Sequence, residues 1–243
     1  KNKIIMTQKF SKKEALKFGW EKNWWIFLPA LLIVSLIFLG LNLLIEKTGE
    51  NLRDLNIFIL FIILNLLYFI FSVIISIGFI RVSLKICDNE KPKLKDVFCV
   101  CDIKLFFKYL FCSILYSLIV LLGTIFFIVP GIILGIKFGF ANYLIVDKNL
   151  GPIQALKKSS LITKGSKWDL FLFYLLTFLI NFLGLLCFIV GIFVSIPVTW
   201  IATAFVYRKL LAQTENLDVQ PAPENDIQLV ENKENQLLEQ KND

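Results

Sequence analysis

Long runs without a charged side chain constrain this chain more than any other feature. They extend from Asn23 to Ile45, from Leu55 to Ile80, from Tyr109 to Ile136 and from Leu170 to Tyr207. A transmembrane helix needs about 20 consecutive apolar residues. The chain of 243 residues is also 57% hydrophobic and only 19% charged, whereas soluble proteins are about 45–50% apolar and about 25% charged. The sequence therefore predicts an integral membrane protein.

The lengths of these runs predict six helices. The last run is too long for one span and fits two spans joined by a tight turn, and the stretch from Leu105 to Val146 divides in the same way near Pro130 and Gly131. The runs do not alternate in polarity, which argues against a β-barrel. We therefore predict an all-α, polytopic membrane helical bundle of about six transmembrane helices, at residues 24–45, 57–80, 105–128, 131–147, 170–189 and 192–208.

Lysine and arginine are concentrated on one side of these predicted spans. They cluster before the first, third and fifth spans and after the sixth, whereas the connection between the first two spans carries only Lys47 and Arg53. Basic connections remain on the cytoplasmic side of a membrane. Asn23-Trp24-Trp25 is typical of an interfacial aromatic anchor, and no cleavage site follows the first run. We expect a plasma-membrane protein with cytoplasmic N- and C-termini.

A faint internal repeat divides the membrane region into three hairpins. Glu14-Ala15-Leu16-Lys17, followed by Trp25, matches Gln154-Ala155-Leu156-Lys157, followed by Trp168. Leu94 to Phe98 is a weaker middle copy. The repeats would be residues 8–90, 91–150 and 151–211, although apolar sequence also produces chance matches. The predicted domains are then a six-helix transmembrane domain, 1–211, and an acidic disordered tail, 212–243, which could bind a protein partner.

The basic segments before the hairpins carry signals of helix starts. Ser11 with Glu14 fits a capping box, and Pro92 and Pro152 each suit the first helical position. An apolar stripe with helical spacing follows Pro92, at Leu94, Val97, Phe98 and Cys101. We expect amphipathic helices on the inner leaflet with their lysines toward anionic lipid headgroups, so membrane lipids are the expected partners. Ordinary loops that obey the positive-inside rule are the alternative.

A known family pattern begins at the end of the third span and continues through the fourth span and the segment after it; the resemblance is best over residues 120–170 and extends more weakly over 8–211. It comprises Ile128-Val129-Pro130-Gly131-Ile132-Ile133, Phe140-Ala141, Ile145-Val146-Asp147, Ala155-Leu156-Lys157-Lys158-Ser159, Thr163-Lys164-Gly165 and Trp168. This resembles the YciC-like / glycerophosphodiester phosphodiesterase membrane-domain group, six-span bacterial membrane proteins of unknown function. The resemblance implies a bacterial inner-membrane protein with a role in envelope upkeep. Its family-like residues here are Pro130, Gly131, Ala155, Ser159 and Trp168. It brings no catalytic residues, and no soluble hydrolase domain is present in this sequence.

Away from the ends of the predicted spans, Lys137 is the one charged residue. It lies about 15 Å from the cytoplasmic end of its helix, at about 1.5 Å per residue. An ionisable residue inside the membrane is a functional candidate and usually faces the bundle interior or a water-filled cavity. Lys137 with Asn65, Asn142 and Asn181 forms the candidate intramembrane polar site, for a lipid phosphate or an anionic substrate. Alternatively, Lys137 snorkels to an interface, and Asn65 and Asn181 tie helices together.

Several classes of function are disfavoured by composition. The chain has no histidine, which excludes histidine general bases and histidine metal ligands. Cys87, Cys99, Cys101, Cys112 and Cys187 have neither zinc nor thioredoxin spacing, so free thiols are expected. We expect no cofactor, no metal and no nucleic-acid partner, because membrane topology already explains the basic charge.

The leading hypothesis is a non-enzymatic multi-pass membrane protein with an envelope or lipid-organising role. The alternative is a small transporter or a permease subunit that handles an anionic or lipid-like substrate. Pro29, Pro130 and Pro197, with Gly184 and Gly191, could break helices as transporters require, although hairpin turns and packing kinks use the same residues.

Overall fold

The computed structural model describes residues 10–22, 25, 27–49, 55–93, 95–98, 102–186 and 190–219. Within these residues the chain is helical and contains no strand. The helices are α1 (Lys12–Glu21), α2 (Phe27–Gly49), α3 (Leu55–Cys87), α4 (Lys95–Phe98), α5 (Ile103–Phe126), α6 (Ile128–Phe138), α7 (Ala141–Lys148), α8 (Pro152–Ile162), α9 (Lys167–Leu186) and α10 (Val190–Val219).

The described residues contain six helical segments long and apolar enough to cross a membrane, as predicted. They are Phe27–Gly49, Leu55–Cys87, Ile103–Phe126, Ile128–Lys148, Lys167–Leu186 and Gly191–Glu215. Short connections pair them into a first hairpin (α2, α3), a second hairpin (α5, α6–α7) and a third hairpin (α9, α10). The chain is therefore an all-α, polytopic membrane protein.

Two spans are longer than predicted. We expected the second span to end at residue 80 and the sixth at 208, but α3 continues to Cys87 and α10 to Val219. Charged residues do not end these helices, because lysine and glutamate are good helix formers, and partners from elsewhere in the fold bind them. Lys85 in α3 pairs with Asp96 at 3.0 Å, and Glu215 in α10 pairs with Lys148 at 3.4 Å. Helix α10 thus crosses the predicted boundary at residue 211, and residues 220–243 of the predicted tail lie outside the described residues.

The second spans of the three hairpins form the centre of the bundle. Their buried residues belong largely to one core cluster, represented by Ile77 of α3, Leu144 of α7 and Tyr207 of α10. The far halves of α2 and α3 are different, since no residue in 35–49 or 55–72 is buried. These apolar, exposed faces suit contact with lipid chains.

Three short helices lie at one end of the bundle, which we call the basic end; α3, α7 and α10 also end there. Helix α1 packs on α10, where Phe18 stacks on Phe205 at 4.5 Å. Helix α4 packs on α3, where the Val97 backbone contacts Gly78. Helix α8 packs on α6, where the Ser159 hydroxyl donates to the Lys137 carbonyl at 3.0 Å. Each short helix therefore contacts the second span of the preceding hairpin in a cyclic order. Descent of the three hairpins from one repeated sequence stays a prediction.

The predicted helix starts are correct at two of three positions. Ser11 caps α1 by accepting from the Glu14 N–H at 3.3 Å, and Pro152 is the first residue of α8. The Glu14 carboxylate does not complete the capping box and instead binds Lys209 on α10 at 2.7 Å. Pro92 was wrongly placed, because α4 begins only at Lys95. Within the single turn of α4, the Asp96 carboxylate accepts a hydrogen bond from the Lys93 N–H, which precedes the helix, at 2.9 Å. Of the predicted stripe, Leu94 and Cys101 lie outside the described residues.

The prolines do not break the spans. Pro29 and Pro130 lie in the first turns of α2 and α6, and Pro197 lies inside α10, which continues to Val219. The second hairpin reverses at Phe127, three residues before the predicted turn at Pro130 and Gly131. A proline in the first helical turn removes an N–H that lacks an intrahelical partner, so it starts a helix more readily than it ends one.

Candidate functional site

A groove of about 710 Å³ opens between the second and third hairpins. Most of its wall is apolar, and hydroxyl groups of tyrosine and Thr203 provide the polar contacts. We call it the aromatic groove after six rings in its lining: Tyr116, Tyr143, Phe171, Tyr174, Phe178 and Trp200.

Two glycines one helical turn apart make room for the aromatic groove. Gly135 of α6 and Gly139, the residue just after α6, both line it, and a side chain at Gly135 would meet nothing closer than the Tyr116 oxygen at 3.7 Å. Tyr116 on α5 donates its hydroxyl to the Gly135 carbonyl at 3.3 Å. On α9, Phe171, Tyr174 and Phe178 recur at helical spacing and form the opposite wall.

A second groove, of about 620 Å³, lies between α1, α9 and α10. Leu16, Lys17 and Trp20 form its wall on α1. Gly184 and Gly191 form the end where the third hairpin reverses, and a Cβ on Gly184 would lie 3.0 Å from the Gly191 carbonyl carbon. The wall is almost wholly hydrocarbon, so this groove offers apolar contact and little else.

Lys137 lies beside the aromatic groove but does not line it. Its carbonyl accepts hydrogen bonds from Ser159 at 3.0 Å and Thr163 at 3.2 Å. Its Nζ lies 4.9 Å from the centroid of the Phe138 ring. Among the described residues no carboxylate forms an ion pair with it. The backbone of Lys137 therefore anchors α8, while its half-buried ammonium has an aromatic contact.

The other three predicted polar residues are not gathered around Lys137. Asn65 donates to the Phe61 carbonyl of its own helix at 2.9 Å, so this bond lies within one helix, and the expectation that Asn65 ties helices together stays a prediction. Asn142 donates to Ser113 at 3.1 Å, across the second hairpin. Asn181 lies 3.4 Å from the Thr199 hydroxyl and links α9 to α10, as expected.

The residues of the family-like motif take structural positions. Gly131 lies where α6 crosses α5, and a Cβ there would meet Thr124. Ala155 is fully buried, and Ser159 binds the Lys137 carbonyl. Trp168 is 72% exposed and stacks on Phe171 of the aromatic groove with 5.4 Å between ring centroids. Pro130 lies in the first turn of α6.

The sequence reasoning missed a charged cluster at the basic end. Arg208 of α10 donates to Asp147 at 2.8 Å and to Asp88 at 2.6 Å, and the Tyr207 hydroxyl donates to the same Asp147 oxygen at 2.8 Å. We call these four residues the Arg208 cluster. Through this cluster, Tyr207 and Arg208 of the third hairpin contact the end of the second span in each of the other hairpins, at Asp88 in the first and at Asp147 in the second. The signal in the sequence was an acidic residue at the end of both those spans.

The thiols of the described residues are free, as predicted. Cys112 is buried and Cys87 is partly buried. Cys99, Cys101, Cys187 and the predicted aromatic anchor at Asn23 and Trp24 lie outside the described residues.

Comparison with known proteins gives a family but no activity. No curated protein and no solved structure is significantly similar to the chain. A family model described as "Protein of unknown function (DUF975)" matches residues 6–143, which is more than half of the sequence and covers α1 to α6 with most of the second hairpin. The chain therefore belongs to the DUF975 family of proteins of unknown function.

Proposed function

We propose that this protein is a non-enzymatic, multi-pass protein of the bacterial plasma membrane that organises lipids, with its basic end and both termini in the cytoplasm. The observation that carries the proposal is the pair of lateral, largely apolar grooves between hairpins. Grooves of this kind accept hydrocarbon chains from the surrounding bilayer. The resemblance to the YciC-like group, with its implied role in envelope upkeep, agrees with this proposal and stays a prediction.

The distribution of lysines supports the proposed orientation. Helices α1 and α8 expose Lys13, Lys17 and Lys157 at the basic end, and cytoplasmic segments carry the excess of basic residues. The inner leaflet is anionic, and each lysine near it contributes about 1 kcal/mol of attraction. The exposed Trp20 and Trp168 lie at the same end, where aromatic side chains prefer the interface between lipid and water.

The packing of the centre supports lipid organisation over transport. Phe140, Leu144 and Tyr207 fill the middle of the bundle at the basic end and are fully buried. A solute path through this region would need these rings to move. One observation favours a transporter as the second candidate. The span Ile128–Lys148 is interrupted at Gly139 and Phe140, two residues after Lys137, and interrupted spans beside polar residues form transporter binding sites.

Reconstitution of the full chain into liposomes separates these two candidates. We expect fluorescent phospholipids to redistribute or cluster in the presence of the protein, while an encapsulated anionic solute is retained as in protein-free liposomes. Solute release without any effect on lipids would replace the proposal with a transporter.

Replacement of Lys137 tests the intramembrane ammonium alone. We expect Lys137→Met to retain less anionic lipid in native mass spectrometry and to unfold at the same temperature, because α8 binds the Lys137 carbonyl and not its side chain. Lys137→Arg is the matched control and should retain lipid as the unmodified chain does. Full retention by the methionine variant would show that Lys137 snorkels without binding an anion.

A further inference from the structure

The wall of the aromatic groove is continuous with the outer surface of the bundle. Ile132 on α6 is 43% exposed, and Leu175 and Phe178 on α9 are 44% and 64% exposed, although all three line the groove. A hydrocarbon chain in the bilayer can therefore enter from the side without crossing a polar barrier. The volume of about 710 Å³ lies within the range of about 300–1,000 Å³ that binds small ligands.

A lysine stands on the groove face of α9 at the basic end. Lys167 precedes Phe171 by four residues and Tyr174 by seven, so helical spacing places it on the same face, about one turn below the first ring. Lys164 lies in the turn just before it, next to Thr163, whose hydroxyl binds the Lys137 carbonyl. Lys164 and Lys167 are exposed, and no ion pair within the described residues engages them.

The nearest acidic residue in the sequence does not neutralise this positive charge. Asp169 follows Lys167 by two residues, and its carboxylate lies 3.0 Å from the Nζ of Lys12 on α1. Its charge is already paired, while Lys164 and Lys167 keep theirs. Neither lysine lines the groove itself, but helical spacing sets Lys167 one turn below Phe171, so positive charge lies beside the mouth at the basic end while the interior is aromatic.

We propose that the aromatic groove is a binding site for one anionic phospholipid. An acyl chain lies along the aromatic rings, and the headgroup phosphate binds Lys164 and Lys167 at the mouth. The proposal rests on the lipid-organising function above and gives it a place and a ligand class.

Two variants of the full chain test the two halves of this site. Lys164→Gln with Lys167→Gln removes the positive charge beside the mouth, and Gly135→Leu fills the groove at a position where a Cβ meets only ordinary van der Waals contacts, the nearest being the Tyr116 oxygen at 3.7 Å. The controls match each change. Lys91→Gln with Lys93→Gln removes two exposed lysines beside α4, and Gly40→Leu adds the same side chain on α2, where nothing lies within 4 Å.

The measurement is retention of phosphatidylglycerol and phosphatidylcholine by native mass spectrometry, with thermal unfolding recorded for every variant. We expect the unmodified chain and both controls to prefer phosphatidylglycerol. The double glutamine variant should bind it about thirtyfold more weakly, given about 1 kcal/mol for each of the two lysines and a factor of ten for about every 1.4 kcal/mol, and Gly135→Leu should lose retention of both lipids.

The outcomes separate the site from the function. If the unmodified chain retains neither lipid and moves no lipid in liposomes, the proposed function fails. If it retains phosphatidylglycerol and both test variants do so equally well, the function stands and this site is wrong. Equal retention of the two lipids by the unmodified chain would overturn the proposal that the groove prefers an anionic headgroup.

Discussion

Arg208→Met is expected to lower the free energy of unfolding by about 2–3 kcal/mol. The substitution removes a guanidinium that is 26% exposed and leaves Asp147, which is 11% exposed, without its cationic partner. Removal of one member of a buried ion pair costs about 3–5 kcal/mol. Partial solvent exposure of Arg208 and the 41% exposure of Asp88 reduce this figure. Unfolding in mixed detergent micelles with increasing denaturing detergent measures the change.

The adjacent residue on α10 provides the control for Arg208. Lys209 pairs with Glu14 at 2.7 Å, but its side chain is 34% exposed and that of Glu14 is 52% exposed. Exposed pairs contribute about 0–1 kcal/mol, so Lys209→Met should cost less than Arg208→Met. Equal losses from the two substitutions would show that the Arg208 cluster adds nothing beyond an ordinary surface pair.

A second substitution separates pairing from packing in the Arg208 cluster. Asp147→Asn keeps the shape of the side chain and removes the charge that Arg208→Met leaves buried. We therefore expect the double variant to be more stable than the sum of the two single losses predicts, because residues in one network are not additive. Strict additivity would assign the loss to missing packing of the Arg208 stem.

The spans could be predicted because the thickness of the bilayer sets the length of apolar sequence that a span needs, and that length can be read from one segment alone. Their ends at the basic end could not, because those ends depend on distant partners. Beyond the apolar runs, Lys85 of α3 lies 3.0 Å from Asp96, and Glu215 of α10 lies 3.4 Å from Lys148. The first charged residues after an apolar run mark where a span can end. Whether those residues form ion pairs depends on the fold and cannot be read from the run itself.

The candidate site was predicted only in part for a similar reason. Lys137 is visible in the sequence because a charge interrupts an apolar run. The aromatic groove combines common residues from five helices, and no single segment carries its pattern. A local signal was the series Gly131, Gly135 and Gly139, spaced by four along α6 and just past its end, since small residues at this spacing let a membrane helix approach a neighbour or a ligand.

The second large effect on stability is expected where α4 packs on α3. Replacing a glycine inside a helix with alanine usually stabilises the helix, but at this contact we expect the replacement to destabilise the fold. Alanine is favoured over glycine inside a helix by about 1 kcal/mol, so Gly40→Ala on α2, where nothing lies within 4 Å, should leave stability unchanged or raise it. At Gly78 of α3 the added Cβ would contact the Val97 carbonyl oxygen and lie 2.6 Å from its carbonyl carbon.

Backbone atoms cannot rotate away from the Gly78 side chain as the end of a flexible side chain can. Helix α4 must therefore move off α3, and we expect Gly78→Ala to cost about 2 kcal/mol despite its better helix propensity. The same unfolding measurement should give opposite signs for the two alanine variants, and limited proteolysis should cut Gly78→Ala faster between α3 and α5. Equal stability gains at both positions would show that α4 docks loosely, so that the close contact at Gly78 does not hold the basic end together.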